Sequence, residues 1–409
     1  MSSIVRLYRR TPTVAGIIVI ALAGCLPPRA SRAQRDVRLG SDATLTISGI
    51  LSGTVFAQDA RFGLGNGQQA EFVQTELDGW WHGGDVRSTR LTFGFRGPSL
   101  GKGWRANATL EADFFGPFNG TGNFADEQPT PRLRLAYADL TNGSTTVRVG
   151  QAWSLTLGNI PVSASHIGFP LGWGSGGFIG WRFPGIFLIQ SLTDTTSTVR
   201  ARLSLAAMRG SWSDETAPDQ PSAGEAGTPQ FEGALNLDGS FRAGTWGAYL
   251  VGHWDRKDLN NVREEGAPEP AANDLDSWAV EGGLRFQSGA ITLHGNAYRG
   301  KAMGHQFAHV IQFGDIEGWG AWAQAGVDLT RQFGVWVYYG TDDPDDDDAR
   351  ANGSDRLSSW LFSPMLRFKA GPYTLGLEWL YNGTDYSSGA TTSAERKGNQ
   401  IALSTRFDF

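Results

Sequence analysis

The chain has a single cysteine, Cys25, in 409 residues, so neither a disulfide framework nor a thiolate metal site is expected. Beyond the amino terminus there is no long apolar run, which excludes helical membrane spans. There is no GxSxG elbow, phosphate-binding P-loop or dinucleotide fingerprint, and no cofactor is expected. A formal net charge of −6 offers no basic field to a nucleic-acid partner. What the chain does contain is 55 glycines and 15 tryptophans, spread over a length that suits a hollow structure better than one solid core.

Residues 1–33 read as a cleaved export signal. Arg6, Arg9 and Arg10 supply the basic region, an apolar segment spans 14–26, and Pro27-Pro28 and Ser31-Arg32-Ala33 precede Gln34. Leu22-Ala23-Gly24-Cys25 also fits a lipoprotein box, which would leave a lipidated Cys25. The proline pair and the small-residue site favour ordinary cleavage. Arg9-Arg10 is read as ordinary signal charge, because twin-arginine export carries folded cargo. Residues 34–41 are then a short periplasmic lead-in and 42–409 the folded body.

That body has period two. In the stretch 132–183, Leu133, Leu135 and Tyr137 fall on one face against Arg132 and Arg134. After a polar turn, Val147 and Val149 alternate with Arg148 and Gln151. About sixteen such segments are legible: 45–55, 86–95, 104–114, 133–139, 147–153, 179–189, 199–207, 231–241, 246–254, 278–286, 291–298, 319–329, 333–339, 360–368, 373–381 and 401–409. Pro184 and Gly185 interrupt the alternation of the segment 179–189. Short turns such as 141–146, 239–244, 287–289 and 330–332 alternate with long connections at 58–85, 116–130, 154–178, 211–230, 255–275, 300–318, 341–359 and 382–399. A soluble sandwich has no reason to put every long loop at one end. The pattern predicts an all-β fold: a transmembrane antiparallel β-barrel of about 16 strands, with short periplasmic turns and long extracellular loops, integral to the outer membrane. Trp104, Trp246, Trp254, Trp278, Trp319, Trp360, Trp379 and Tyr381 fall near strand ends, where amphipathic rings suit a membrane interface. Phe407 and the terminal Phe409 share a face with Ile401 and Leu403, as a barrel-assembly signal would. The expected partners are outer-membrane lipid, lipopolysaccharide and the barrel assembly machinery.

With the apolar parity facing lipid, Arg90, Arg96, Arg105, Arg132, Arg134, Arg148, Arg200 and Arg202 point inward. Their planar forks suit carboxylates and phosphates, which favours an anion-preferring pore. The competing reading has them neutralised by inward Glu111, Asp113, Glu232, Glu281 and Glu378, leaving the pore unselective. The Gly-rich excursion 154–178 is a candidate constriction loop. The acidic run Asp342 to Asp348 lacks the ligand spacing of a calcium loop and reads as solvated. His305 and His309 have metal-like spacing without a third ligand, so no metal is assigned. An enzyme is not expected; a barrel enzyme would need a Ser-His pair formed in space, which sequence cannot reveal.

Arg90-Leu-Thr-Phe-Gly-Phe-Arg-Gly97, Gly103-Trp-Arg with Glu111, Arg132-Leu-Arg-Leu-Ala-Tyr-Ala-Asp139 and Val149-Gly-Gln-Ala-Trp153 resemble the DcaP-like trimeric porins of Gram-negative outer membranes. Gln312-Phe-Gly-Asp-Ile-Glu-Gly-Trp-Gly-Ala-Trp322 and Asp342-Asp-Pro344 look like later segments of that family. The resemblance implies a homotrimer of sixteen-strand barrels for passive uptake of small anionic, dicarboxylate-like solutes. Carried over by position, Arg132, Arg134 and Arg148 would form the constriction, with Arg90, Arg105, Arg200 and Arg202 as neighbours. Family members often carry a helical periplasmic extension, and here only 34–41 precede the first strand. Other readings are a weakly selective channel for sugars or neutral solutes, and a barrel enzyme or closed structural barrel.

Overall fold

The computed structural model describes residues 35–40, 42–116, 129–210, 222–259, 273–389 and 391–409; the signal read in 1–33 lies outside the described residues. The strands are β1 (Arg35–Arg38), β2 (Thr44–Phe62), β3 (Val73–Asp85), β4 (Arg90–Gly101), β5 (Trp104–Gly116), β6 (Thr130–Asn142), β7 (Thr145–Trp153), β8 (Arg182–Ser191), β9 (Val199–Met208), β10 (Gln230–Phe241), β11 (Gly244–Asp258), β12 (Asp274–Ser288), β13 (Ile291–Lys301), β14 (Glu317–Asp328), β15 (Phe333–Pro344), β16 (Arg356–Ala370), β17 (Tyr373–Ser387) and β18 (Ser393–Asp408). All belong to one sheet, and each neighbouring pair is antiparallel. β3 and β4 are one stave broken at 86–89, since both lie along β2, with Asp85 opposite Thr54 and Arg90 opposite Ile50. β18 pairs with β2 from Gln400↔Gln58 to Asp408↔Ile50 and closes the barrel at sixteen staves. β1 continues along β2 below that point, Arg35↔Ile47 to Arg38↔Thr44, so the lead-in covers an edge that would otherwise stay open.

The outward parity is a lipid belt. Leu51, Val55, Leu235, Leu250, Val280, Leu284, Leu366, Leu377 and Leu403 are all exposed. Aromatic girdles bound it. Phe231 stacks on Trp254 near the loop ends, and Phe241 stacks on Phe286 near the short turns. The ten residue steps of β10 from Phe231 to Phe241, tilted as in a barrel, match an apolar band about 25 Å tall.

Several connections read as loops are strand. Of 58–85, only 63–72 leaves the sheet, and β11, β12, β15, β17 and β18 likewise run past the girdle. Above the girdle the outer face meets water and carries ion pairs such as Arg256–Asp274 and Arg299–Glu317 in place of apolar residues. The hydrophobic alternation therefore stops while the strand continues. A second correction concerns β6. A register shift places Glu111 opposite Leu135 but Ala112 opposite Leu133. The bulge reverses parity, so Leu133 is exposed, Leu135 is buried, and Tyr137 lies beneath the Arg148 guanidinium at 3.7 Å. Leu133, Leu135 and Tyr137 do not share an apolar face. The segment 179–189 also divides: β8 starts only at Arg182, and Ile179 is buried against Ala279, Tyr298 and Met303 across the lumen.

The inside is packed at its outer end. Phe169, Leu171, Trp173 and Phe178 of the β7–β8 connection join Phe307 of the β13–β14 connection against inward Trp322, Tyr338, Leu361 and Leu380. Trp173 stacks on Phe307 with centroids 4.7 Å apart. At Gly177, where φ is +68°, a Cβ would come within 2.2 Å of the Ala321 nitrogen, so only glycine lets the loop lie this close to the wall.

Candidate functional site

The β7–β8 connection makes nearly a full circuit of the lumen, and the wall meets it with matched polarity. Ser154 Oγ and the Leu155 amide donate to Glu232 at 2.8 and 2.5 Å. Asn159 donates to the Leu284 and Gly295 carbonyls, and Val162 and Gln324 exchange two hydrogen bonds of 2.7 Å. Ser163 and Ser165 hydroxyls donate to Glu378 at 2.8 and 2.5 Å. The chain then reaches the arginine side, where Arg90 donates to the Ile167 carbonyl at 2.9 Å and Arg134 to the Gly168 carbonyl at 3.1 Å. Ser175 bonds Glu71, and the Ser154 amide donates to the Trp181 carbonyl at 2.7 Å, closing the circuit at its base. Among the inward acids, Glu232 and Glu378 hold the loop, while Glu281 accepts from Tyr249 and Asn296.

The other two acids answer the arginines. Arg134 reaches Glu111 and Asp113 at 2.7 Å each, Arg132 meets Asp113 through two bonds, and Arg90 lies 3.7 Å from Glu111. Arg134 is only 2% exposed, so it is a buried, paired strut rather than a free lining charge. Arg148 is not in this cluster. It pairs with Asp139 on β6, seven residues and about 23 Å of strand below Arg132. Arg105 donates to the Gly97 carbonyl at the periplasmic end of β5. Arg200 and Arg202 face Asp238 and Asn236 across β9–β10, are exposed, and have no ion pair among the described residues. The structure thus brings Arg90, Arg132 and Arg134 together and leaves Arg105, Arg148, Arg200 and Arg202 nearer the periplasm.

Arg182 was absent from the sequence expectations, yet it completes the cluster. It lies 4.9 Å over Trp153 and 4.1 Å over Trp181, rings that also carry Arg134 and Arg132 respectively. The only sequence signal was Arg next to Trp at the end of a loop, and alternation alone put Arg182 on the outer parity.

The remaining candidates resolve as structure. Asp342 is buried and accepts from Tyr298 and the Val310 amide; Asp345 caps the short helix α1 (Asp346–Ala351), and Asp348 accepts from the Glu317 amide. Asp342 to Pro344 are part of β15, not of a solvated loop. His305 packs on Phe313 and His309 on Tyr298, and among the described residues no group of His, Cys, Asp or Glu is placed to hold a metal. Burial pulls His305 and His309 down to about 3 and His166 to about 4, and pushes Glu71 well above the usual carboxylate range. A Ser-His contact does form, Ser165 Oγ to His166 Nδ1 at 2.8 Å. Both are buried, and Ser165 also donates to Glu378, which offers no open nucleophile. Phe407 is exposed to the belt. Phe409 exchanges two backbone bonds with Gly49, at 2.9 and 3.1 Å, at the barrel seam.

A closed sixteen-stave barrel with an apolar outer belt and a loop folded into its lumen defines the class: an integral barrel of the outer-membrane porin type. By sequence, no protein-family model and no curated protein matches the chain. By structure, it is similar to the outer membrane channel DcaP of Acinetobacter baumannii, with a TM-score of 0.67, 17% identity, and coverage of 91% of this chain and 99% of that one. It is also similar to OmpF of Salmonella typhi (0.55, 11% identity, 92% and 100% coverage) and to the anion-selective porin of Comamonas acidovorans (0.53, 15%, 90% and 100%).

Proposed function

We propose that the protein is a passive diffusion channel of the outer membrane, preferring small anionic, dicarboxylate-like solutes and working as a homotrimer. The observation that carries the preference is an imbalance of charge. Among the described residues Arg90, Arg132 and Arg134 gather against Glu111 and Asp113, and below them Arg200 and Arg202 stand exposed. Glu232 and Glu378, which could offset this, are buried and turned to the loop. An anion entering from the periplasmic half meets a field of excess guanidinium charge, where a cation is repelled. The likeness to a channel and to an anion-selective porin supports the reading at the level of fold. The test is the reversal potential in a planar bilayer under a salt gradient. An anion-selective value is expected, with conductance steps in threes for a trimer; a cation-selective value overturns the preference.

A second reading has one observation in its favour. Trp173, Leu171 and Phe178 are fully buried inside the barrel, which suits a closed state of the outer lumen. Absence of conductance from inserted protein would select that reading.

A further inference from the structure

We infer that Arg182 forms the base of an oxyanion site on the outward side of β6 to β8, apart from the transport lumen, and that it takes a phosphate group. Arg182 is 5% exposed, and its Nε and Nη1 have no hydrogen-bond partner among the described residues. A guanidinium is always charged, and a buried cation without an acceptor is costly, so the site is built for a partner that the chain does not supply. The local sum agrees: four guanidinium groups against two carboxylates leave two positive charges uncompensated.

A cavity of about 210 Å³ adjoins Arg182, with Arg132, Gln151 and Arg209 among its walls. Leu133 and Pro184 also line it. Leu133 is exposed, and Gln151 and Pro184 share the parity of the exposed Val149 and Ile186, so the cavity opens on the outer side of β6–β8. Arg209 is already paired with Glu225 at 2.6 Å, and the Gln151 amide is spent on the Leu133 and Arg134 carbonyls. Arg132 is held by Asp113 through two bonds, so Arg182 is the one left to bind. The Arg182 fork, held over the Trp153 and Trp181 faces, offers paired donors that suit a tetrahedral oxyanion better than chloride. The site lies at the loop end of β8, level with the polar margin of the belt, so the phosphate can come from solution or from a lipid headgroup.

The test uses the folded full chain in zwitterionic detergent. Calorimetric titration with inorganic phosphate against chloride at constant ionic strength reads the free ion. Native mass spectrometry after mixing with phosphatidic acid or phosphatidylcholine micelles reads the lipid. Saturable phosphate binding, weakened at least tenfold by Arg182→Gln and unchanged by Arg256→Gln on the outer face, establishes the site for the free ion. Retention of phosphatidic acid alone, lost in Arg182→Gln, establishes it for lipid. If that variant does not fold, Arg182→Lys replaces it and is expected to bind several-fold more weakly. No binding in either arm, or equal binding by the variant that folds, overturns the site. Neither arm depends on conduction, so failure here is distinct from failure of the channel reading.

Discussion

The low wall, β4 to β9, and the tall wall, β10 to β18, hold the same loop by opposite means. Low-wall strands run 9 to 13 residues, whereas β11, β12, β16, β17 and β18 run 15 or 16. On the tall wall the loop presents hydroxyls and amides, and the barrel answers with Glu232 and Glu378. On the arginine side it presents the Ile167 and Gly168 carbonyls, answered by Arg90 and Arg134. Inward charge in this barrel is therefore first of all complementary to the loop. Only the residue beyond that requirement, Arg182 and the exposed Arg200 and Arg202, is free to act on a solute or ligand.

Breaking the buried strut should have the largest effect. Arg134→Ala takes from Glu111 and Asp113 the buried partner they share, leaving them to Arg90 and Arg132, at a cost of about 3–5 kcal/mol. The expected result is a clear drop in the temperature at which the folded barrel loses its compact gel mobility; an unchanged temperature would show the cluster to be solvated. Trp173→Ala removes the centre of the loop core at about 3–5 kcal/mol, but from the plug rather than the sheet. Raised conductance and protease cleavage within 154–178 are expected, with strand content by circular dichroism unchanged.

Acidity separates the β13–β14 connection from the β2–β3 connection, 63–72. His305 and His309 have docked values of about 3 against a usual 6.5, so between those limits the released segment takes protons that the docked one refuses. Docking of 302–313 is strongest above pH 6.5 and weakens as pH falls. Glu71 is raised, so the contact it makes with Ser175 is strongest below the usual 4.5 and weakens as pH rises. Hydrogen exchange, corrected for intrinsic rate, should quicken at 302–313 from pH 7 to 5 while slowing at 64–72. Parallel responses would refute the assignment.

The smallest effects belong to the periplasmic arginines. Arg148→Ala breaks a partly exposed pair worth about 0–1 kcal/mol, with little change in stability. Arg200→Gln with Arg202→Gln should leave stability unchanged and shift the reversal potential toward zero. A larger loss of selectivity from Arg148→Ala than from this pair would restore Arg148 to the constriction.

Alternation and the spacing of turns were enough to read a sixteen-strand barrel, its lipid belt and the inward side of most arginines. Each depends on a local rule: successive side chains point to opposite faces, and lipid tolerates only apolar ones. The rule failed at the β6 bulge, where one added residue reversed Leu133 against Leu135, and above the girdle, where water replaced lipid and β3 lost its pattern. It could not tell Arg134, locked to two acids, from Arg200, which meets water, because both read simply as inward arginine. Sequence alone determined that this chain crosses a membrane as a closed sheet. Only the tertiary structure decided which charges are spent on holding the loop, because Ser163 and Glu378 or Gly168 and Arg134 meet through closure of the ring and not through proximity along the chain.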